Sequence, residues 1–118
     1  MAKPVGPYTP IVRAGDWLVV SGQVGLADGG LVTGGMEAEL RQAIANLSAL
    51  LQGEGASLAD VTKTTVFLRH LGEDYARMNE VYVELFGERR PARSAVGVAE
   101  LPIGALVEVE AWAHVGAG

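Results

Sequence analysis

Two side chains, Arg93 and Glu108, have the chemistry to handle a small carboxylic acid. Arg93 lies in Arg89-Arg90-Pro91-Ala92-Arg93-Ser94, where a proline-led turn leads into the extended run Ser94–Ala99. A guanidinium at the mouth of a strand suits a carboxylate, because its planar fork donates two parallel hydrogen bonds. Further on, Glu108 stands near the start of the alternating run Leu106–Val115. If those two strands are neighbours, an anion clamp and a carboxylate face one cleft. The residue types alone leave a second reading open, a surface arginine paired with a surface glutamate for structural reasons. Glu110 follows Glu108 by two and shares its face of the strand. Repulsion between the two would raise the pKa of one and suit it to proton transfer, although a structural role for Glu110 is the favoured reading.

The rest of the composition narrows the chemistry. The chain has no cysteine, which excludes disulfides, a thiolate nucleophile and a thiolate metal site. Its only histidines, His70 and His114, are far apart, and no motif sets one beside Ser21 to activate that hydroxyl. No metal or cofactor is expected. Net charge is −5, and Arg89, Arg90 and Arg93 make the only basic grouping, so nucleic acid is not an expected partner. No stretch approaches membrane-spanning length, and the start Met1-Ala2-Lys3-Pro4 lacks the apolar run of a signal peptide. A cytoplasmic location is the expectation. At 118 residues, with 49% apolar, the chain predicts one globular domain over 1–118 and no room for a second core.

The elements that position these residues follow from periodicity. Ile11-Val12-Arg13 and Trp17–Ser21 read as strands around the turn Ala14-Gly15-Asp16, and Leu31-Val32-Thr33 adds a short third. From Met36 to Gln52, Leu40, Ala43, Ile44, Leu47 and Leu51 recur at helical spacing, and Gly53 supplies a stop. Val61–Arg69 is rich in β-branched residues and reads as a strand. A second helix is predicted from Glu73 to Phe86, with Tyr75, Met78, Tyr82 and Leu85 on one stripe and Gly87 ending it. Strands at Ser94–Ala99 and Leu106–Val115 complete an α+β fold, a sheet with two helices on one face. In the last strand Val107, Val109, Ala111, Ala113 and Val115 point one way, as helix packing requires, while Leu106, Glu108, Glu110, Trp112 and His114 point the other. Trp17, Val19, Thr65 and Phe67 are candidates for that second face. Two helices cannot cover both faces, so the second is expected to be buried against other subunits.

Six stretches in order then carry a resemblance: Gly6-Pro7-Tyr8-Thr9, Val20-Ser21-Gly22-Gln23, Gly55–Leu68, Met78-Asn79-Glu80-Val81-Tyr82, Pro91-Ala92-Arg93-Ser94-Ala95-Val96 and Leu106–Ala111. Over essentially its whole length the chain resembles the RidA (YjgF/YER057c/UK114) family of reactive-intermediate deaminases. The resemblance implies a chorismate-mutase-like fold with a mixed, mainly antiparallel sheet, and a homotrimer with its sites in clefts between subunits. It implies hydrolysis of 2-imino acids, or enamine tautomers such as 2-aminoacrylate, to 2-keto acids and ammonia, without cofactor. Arg93 matches the arginine that binds the substrate carboxylate, and Glu108 the glutamate that positions or activates water. Tyr8 matches a tyrosine lining the cleft, Ser21 and Gly22 a strand end that approaches the ligand, and Asn79 a substrate or water contact. For Tyr8 the alternative is an anchor for the N-terminal segment, and for Asn79 a capping or inter-subunit role.

Departures from the family pattern bear on substrate preference. Ala95 stands where many relatives carry cysteine, Pro10 and Gly97 also differ, and Trp17 and Trp112 are bulky for their places. Competing readings are a non-catalytic trimeric module that binds small carboxylates, a pericyclic mutase, and a ribonuclease. A mutase should want several cations in one cleft, and a ribonuclease a positive field and a histidine pair.

Overall fold

Gly15, with φ of +61°, makes the left-handed turn between strands β1 (Ile11–Ala14) and β2 (Trp17–Gln23), which pair antiparallel. In this computed structural model residues 6–116 are described. The stretch Met1–Pro4, from which the lack of a leader was read, lies outside them. The chain continues through the two-residue strands β3 (Leu26–Ala27) and β4 (Gly30–Leu31), helix α1 (Gly35–Gly53), strand β5 (Val61–Leu68), helix α2 (Leu71–Phe86), and strands β6 (Ala92–Gly97) and β7 (Val107–His114).

The main sheet has the order β1-β2-β7-β5-β6. Every pairing in it is antiparallel except β5 with β6, which is parallel and connected through α2. Strands β2 and β5 both flank β7 antiparallel, so α1 also carries the chain across the sheet. Both crossovers lie on one face, the expected α+β layering. That face is the core: Leu18, Val20, Val66, Leu68, Val107, Val109, Ala111 and Ala113 meet Leu40, Ile44, Leu47 and Leu51 of α1 and Met78, Val81 and Tyr82 of α2. Each large aliphatic side chain fully buried there contributes about 1.5–3 kcal/mol relative to exposure. Ion pairs then link the helices along their outer side. Glu37 of α1 binds Arg77 of α2 at 2.6 Å, and Arg41 of α1 binds Glu84 of α2.

The opposite face carries Val19, Thr65, Phe67, Glu108, Glu110, Trp112 and His114, paired directly across the strands as Val19–Trp112, Thr65–Glu110 and Phe67–Glu108. Among the described residues no element covers it, and Val12, Trp17, Val96 and Trp112 are exposed. Trp17 packs edge-on against Trp112 and His114, with ring centroids 6.2 and 4.9 Å away.

Three local expectations change. The short strand expected at Leu31-Val32-Thr33 is Gly30–Leu31, paired with Leu26–Ala27 apart from the main sheet. Asp28 and Gly29 turn it with φ of +52° and +87°, and Asn46 of α1 donates to the carbonyls of Val24 and Leu26. Helix α2 starts at Leu71 rather than Glu73 because Leu71 packs over Gly97, where an added Cβ would stand 3.1 Å from it. Strand β6 is shifted toward the N-terminus relative to the expected Ser94–Ala99, so Arg93 lies within the strand rather than at its mouth.

Candidate functional site

Arg93 is gripped by one face of α2. It stands opposite Thr64 in the parallel β5–β6 register and so points to the helix side of the sheet. Its Nη1 donates to Asn79 Oδ1 at 2.7 Å and approaches the Met78 sulfur at 3.5 Å, and its Nη2 donates to the Tyr75 hydroxyl at 3.3 Å. The guanidinium lies 4.9 Å from the centre of the Tyr82 ring and 5.7 Å from that of Tyr75, within cation–π range of both. Tyr82 is itself fixed, its hydroxyl 2.6 Å from the hydroxyl of the fully buried Thr64. Burial pushes the Tyr82 phenol up, against the opposing effects of Thr64 and of the Arg93 charge, so it stays a neutral platform. The result is a cation with its plane and both terminal nitrogens engaged by the protein, beside an open groove lined by Leu71, Gly72, Tyr75 and Ala95, of which Tyr75 touches the guanidinium.

Glu108 occupies a different environment. It is half-buried on the uncovered face, opposite Phe67. Burial raises its pKa first and the neighbouring charge of Glu110 raises it further, in agreement with the repulsion expected from the sequence. Among the described residues no ion pair engages it. Gly22 is the reason its side chain fits: a Cβ there would lie 2.7 Å from the Glu108 carboxyl carbon. A bulge sets this approach, because the β2–β7 register slips between Val20–Ala111 and Gln23–Val109. Ser21, inside the bulge, donates from its hydroxyl to the Thr9 carbonyl at 2.7 Å and from its amide to Pro10. It thereby holds the segment that bears the exposed Tyr8.

The two halves do not share a cleft within one chain. β5 lies between β6 and β7, so the condition that their strands be neighbours is not met. Arg93 faces the helices, and Glu108 faces away from them. The structure joins Arg93 with Asn79, and Glu108 with Gly22. Ser21 is tied to the Tyr8 segment. Asn79 lies inside α2 and caps nothing; it orients the guanidinium. Tyr75, Tyr82 and Thr64 went unidentified as site residues. Tyr75 and Tyr82 were assigned to a core stripe, yet Tyr75 is 43% exposed, because it lies over Arg93 beside the edge strand. The spacing Tyr75, Met78, Asn79, Tyr82 places a hydrogen-bonding amide on an aromatic helical face, and that was the available signal. Trp17 and Trp112 lie on the face opposite Arg93 and line no part of its groove.

Comparison with known proteins agrees with this fold. The family model described as endoribonuclease L-PSP matches residues 1–115. A RutC family protein of Pyrococcus horikoshii is 45% identical over 114 residues, covering 95% of this chain and 90% of the relative. A 2-iminobutanoate/2-iminopropanoate deaminase of Dermatophagoides farinae is 41% identical over 110 residues, covering 92% of this chain and 85% of the relative. The crystal structure of RidA from an Antarctic Psychrobacter superposes with a TM-score of 0.92 at 38% identity, covering 96% of this chain and 92% of that one. With its length, its fold and its sequence all matched, the chain belongs to the RidA (YjgF/YER057c/UK114) family, the family that the endoribonuclease L-PSP model describes.

Proposed function

We propose that the protein hydrolyses 2-imino acids, and enamines of the 2-aminoacrylate type, to 2-keto acids and ammonia. The observation that carries this reading is the Arg93 guanidinium, pre-oriented by Asn79 and Tyr75 beside a groove that Tyr75 also lines. Such a clamp suits a substrate with a carboxylate beside its reacting carbon. Deaminases of 2-iminobutanoate and 2-iminopropanoate among the relatives give the same substrate class.

Arg93 holds the carboxylate and fixes the C=N carbon next to it. Water adds to that carbon as Glu108 takes one of its protons and passes it to the imine nitrogen, giving a carbinolamine. Glu108 then takes the hydroxyl proton and delivers it to nitrogen as the C–N bond breaks with its electron pair leaving on ammonia, and the carbon is left as the keto group. A carboxylate whose pKa is raised by burial accepts a proton more readily than an ordinary one and can return it, which is the service that Glu108 offers. Imines already hydrolyse in water, so orientation and this proton shuttle are enough, and no cofactor is required.

Because Arg93 and Glu108 face opposite sides of one sheet, a site containing both needs the two from different copies. We therefore take the working unit to be a homotrimer of single-domain chains, with the uncovered face buried between copies and Tyr8, Ser21 and Gly22 lining the Glu108 side. A cytoplasmic enzyme without a nucleic-acid partner fits the net charge of −5. A carboxylate-binding module would use the same clamp without turnover.

The test is to generate 2-aminoacrylate or 2-iminobutanoate in situ with a partner enzyme and follow its decay. Acceleration by the wild type, lost in Arg93→Ala and reduced in Glu108→Gln, is the expected result. Binding of 2-keto acids with no acceleration of any imine would instead establish the binding module.

A further inference from the structure

The Tyr75 hydroxyl has a use that neither packing nor the Arg93 contact exhausts. A guanidinium has no acceptor, so in the 3.3 Å contact with Arg93 Nη2 the phenol oxygen must accept. Its own proton is then left to donate elsewhere. Tyr82, one helical repeat further along α2, offers the contrast. It is buried, and its hydroxyl is engaged by Thr64 at 2.6 Å. Tyr75 is 43% exposed and lines the open groove of about 390 Å³ with Leu71, Gly72 and Ala95. Ala95 shares the helix-side face of β6 with Arg93, so the groove runs directly on from the clamp.

Nη1 meets Asn79 at 2.7 Å and the Met78 sulfur at 3.5 Å, while Nη2 gives one of its two N–H groups to Tyr75, so its second N–H can meet a carboxylate beside the phenol. An oxygen that binds Nη2 there comes beside the Tyr75 O–H. Building on the imine-hydrolysis reading, we propose that Tyr75 is a substrate-binding residue whose hydroxyl donates a second hydrogen bond to the substrate carboxylate, alongside Arg93. The bond forms to a group that does not change charge during hydrolysis. It therefore stabilises ground state and transition state alike, and its loss should appear in KM and leave kcat in place.

The decisive variant is Tyr75→Phe, which keeps the ring over Arg93 and removes only the hydroxyl. Hydrogen bonds to charged groups are worth enough that KM for 2-iminobutanoate should rise about 10-fold, with kcat within about twofold of wild type. Calorimetric binding of 2-oxobutanoate, which carries the same carboxylate but needs no catalysis, should weaken by the same factor. An unchanged KM and unchanged 2-oxobutanoate affinity would overturn the proposal, as would a loss confined to kcat. If the wild type hydrolyses no imine, the deaminase reading falls, and the 2-oxobutanoate comparison still decides Tyr75: weaker binding by Tyr75→Phe upholds it, while equal or absent binding overturns it.

Discussion

Arg93 is surrounded by Tyr75, Met78, Asn79 and Tyr82, all from one helix, whereas Glu108 lies on a bare sheet face with another carboxylate as its charged neighbour. The cation is held within a single chain: its plane is stacked and both of its terminal nitrogens are bonded. The carboxylate is the reverse. Burial and Glu110 make its charged form costly, and Gly22 leaves room for it. On the proposed reading one region binds an anion in place and the other gives up or takes a proton. The difference makes binding and proton transfer separable on that reading, so that each half can be damaged without touching the other.

The largest effect should come from Arg93→Ala. Truncating one side of a desolvated, charge-assisted contact costs about 2–5 kcal/mol, so kcat/KM should fall by about 10²- to 10³-fold. The same variant sharpens the comparison when co-assembled with Glu108→Gln. If the halves come from different copies, random mixing of the two impaired chains should restore about one quarter of the sites to wild-type composition. A mixture no more active than the sum of its parents would break the shared-site reading.

Next is Gly22→Ala, whose methyl group would displace the Glu108 carboxyl group from 2.7 Å. Misplacement on that scale should lower kcat by about 10- to 100-fold while 2-keto acid binding at Arg93 persists. Calorimetry beside steady-state kinetics would separate the two, and a loss of binding equal to the loss of rate would count against the division. Asn79→Ala lies on the other side of it. Freeing Nη1 removes one charge-assisted bond that orients the clamp, and KM should rise by about 5- to 10-fold with little change in kcat.

The smallest effect is on stability. The folded-state pKa of Glu108 lies above its ordinary value of 4.5, so the folded chain binds its proton more readily than the unfolded chain. Stability from this group is therefore full below pH 4.5 and lost as pH rises through the raised value. Glu108→Gln should melt at a higher temperature than wild type near neutrality, and the gap should close on acidification. Thermal scans across that range check it. A gap that widens at low pH would mean that Glu108 is held by a favourable partner rather than by burial.

Much of this was legible from residue order. Leu40, Ala43, Ile44, Leu47 and Leu51 repeat with the period of a helix, and all are buried in α1. Val107 to His114 alternates, and its two faces divide as the alternation requires. Periodicity reports which way a side chain points relative to its own element, and nothing more. It misjudged Tyr75, because a residue on the apolar stripe still becomes exposed when its helix lies beside the edge strand. It also set the short third strand at Leu31 to Thr33 rather than at Gly30–Leu31, because a two-residue hairpin is set by the backbone of Asp28 and Gly29 and by Asn46 rather than by hydrophobic pattern.

The sequence by itself determined the α+β class, the family and the placing of Glu108 with Glu110 on one face, and it singled out Arg93 as the candidate clamp. All of these depend on residue type and near spacing, which are local properties. Only the tertiary structure decided that β5 separates β6 from β7, that Arg93 and Glu108 therefore face opposite ways, and that Tyr75 stands beside the guanidinium. Strand order and the parallel β5–β6 register come from how the crossover helices pack on the sheet, a contest among contacts distant in sequence that no local spacing records.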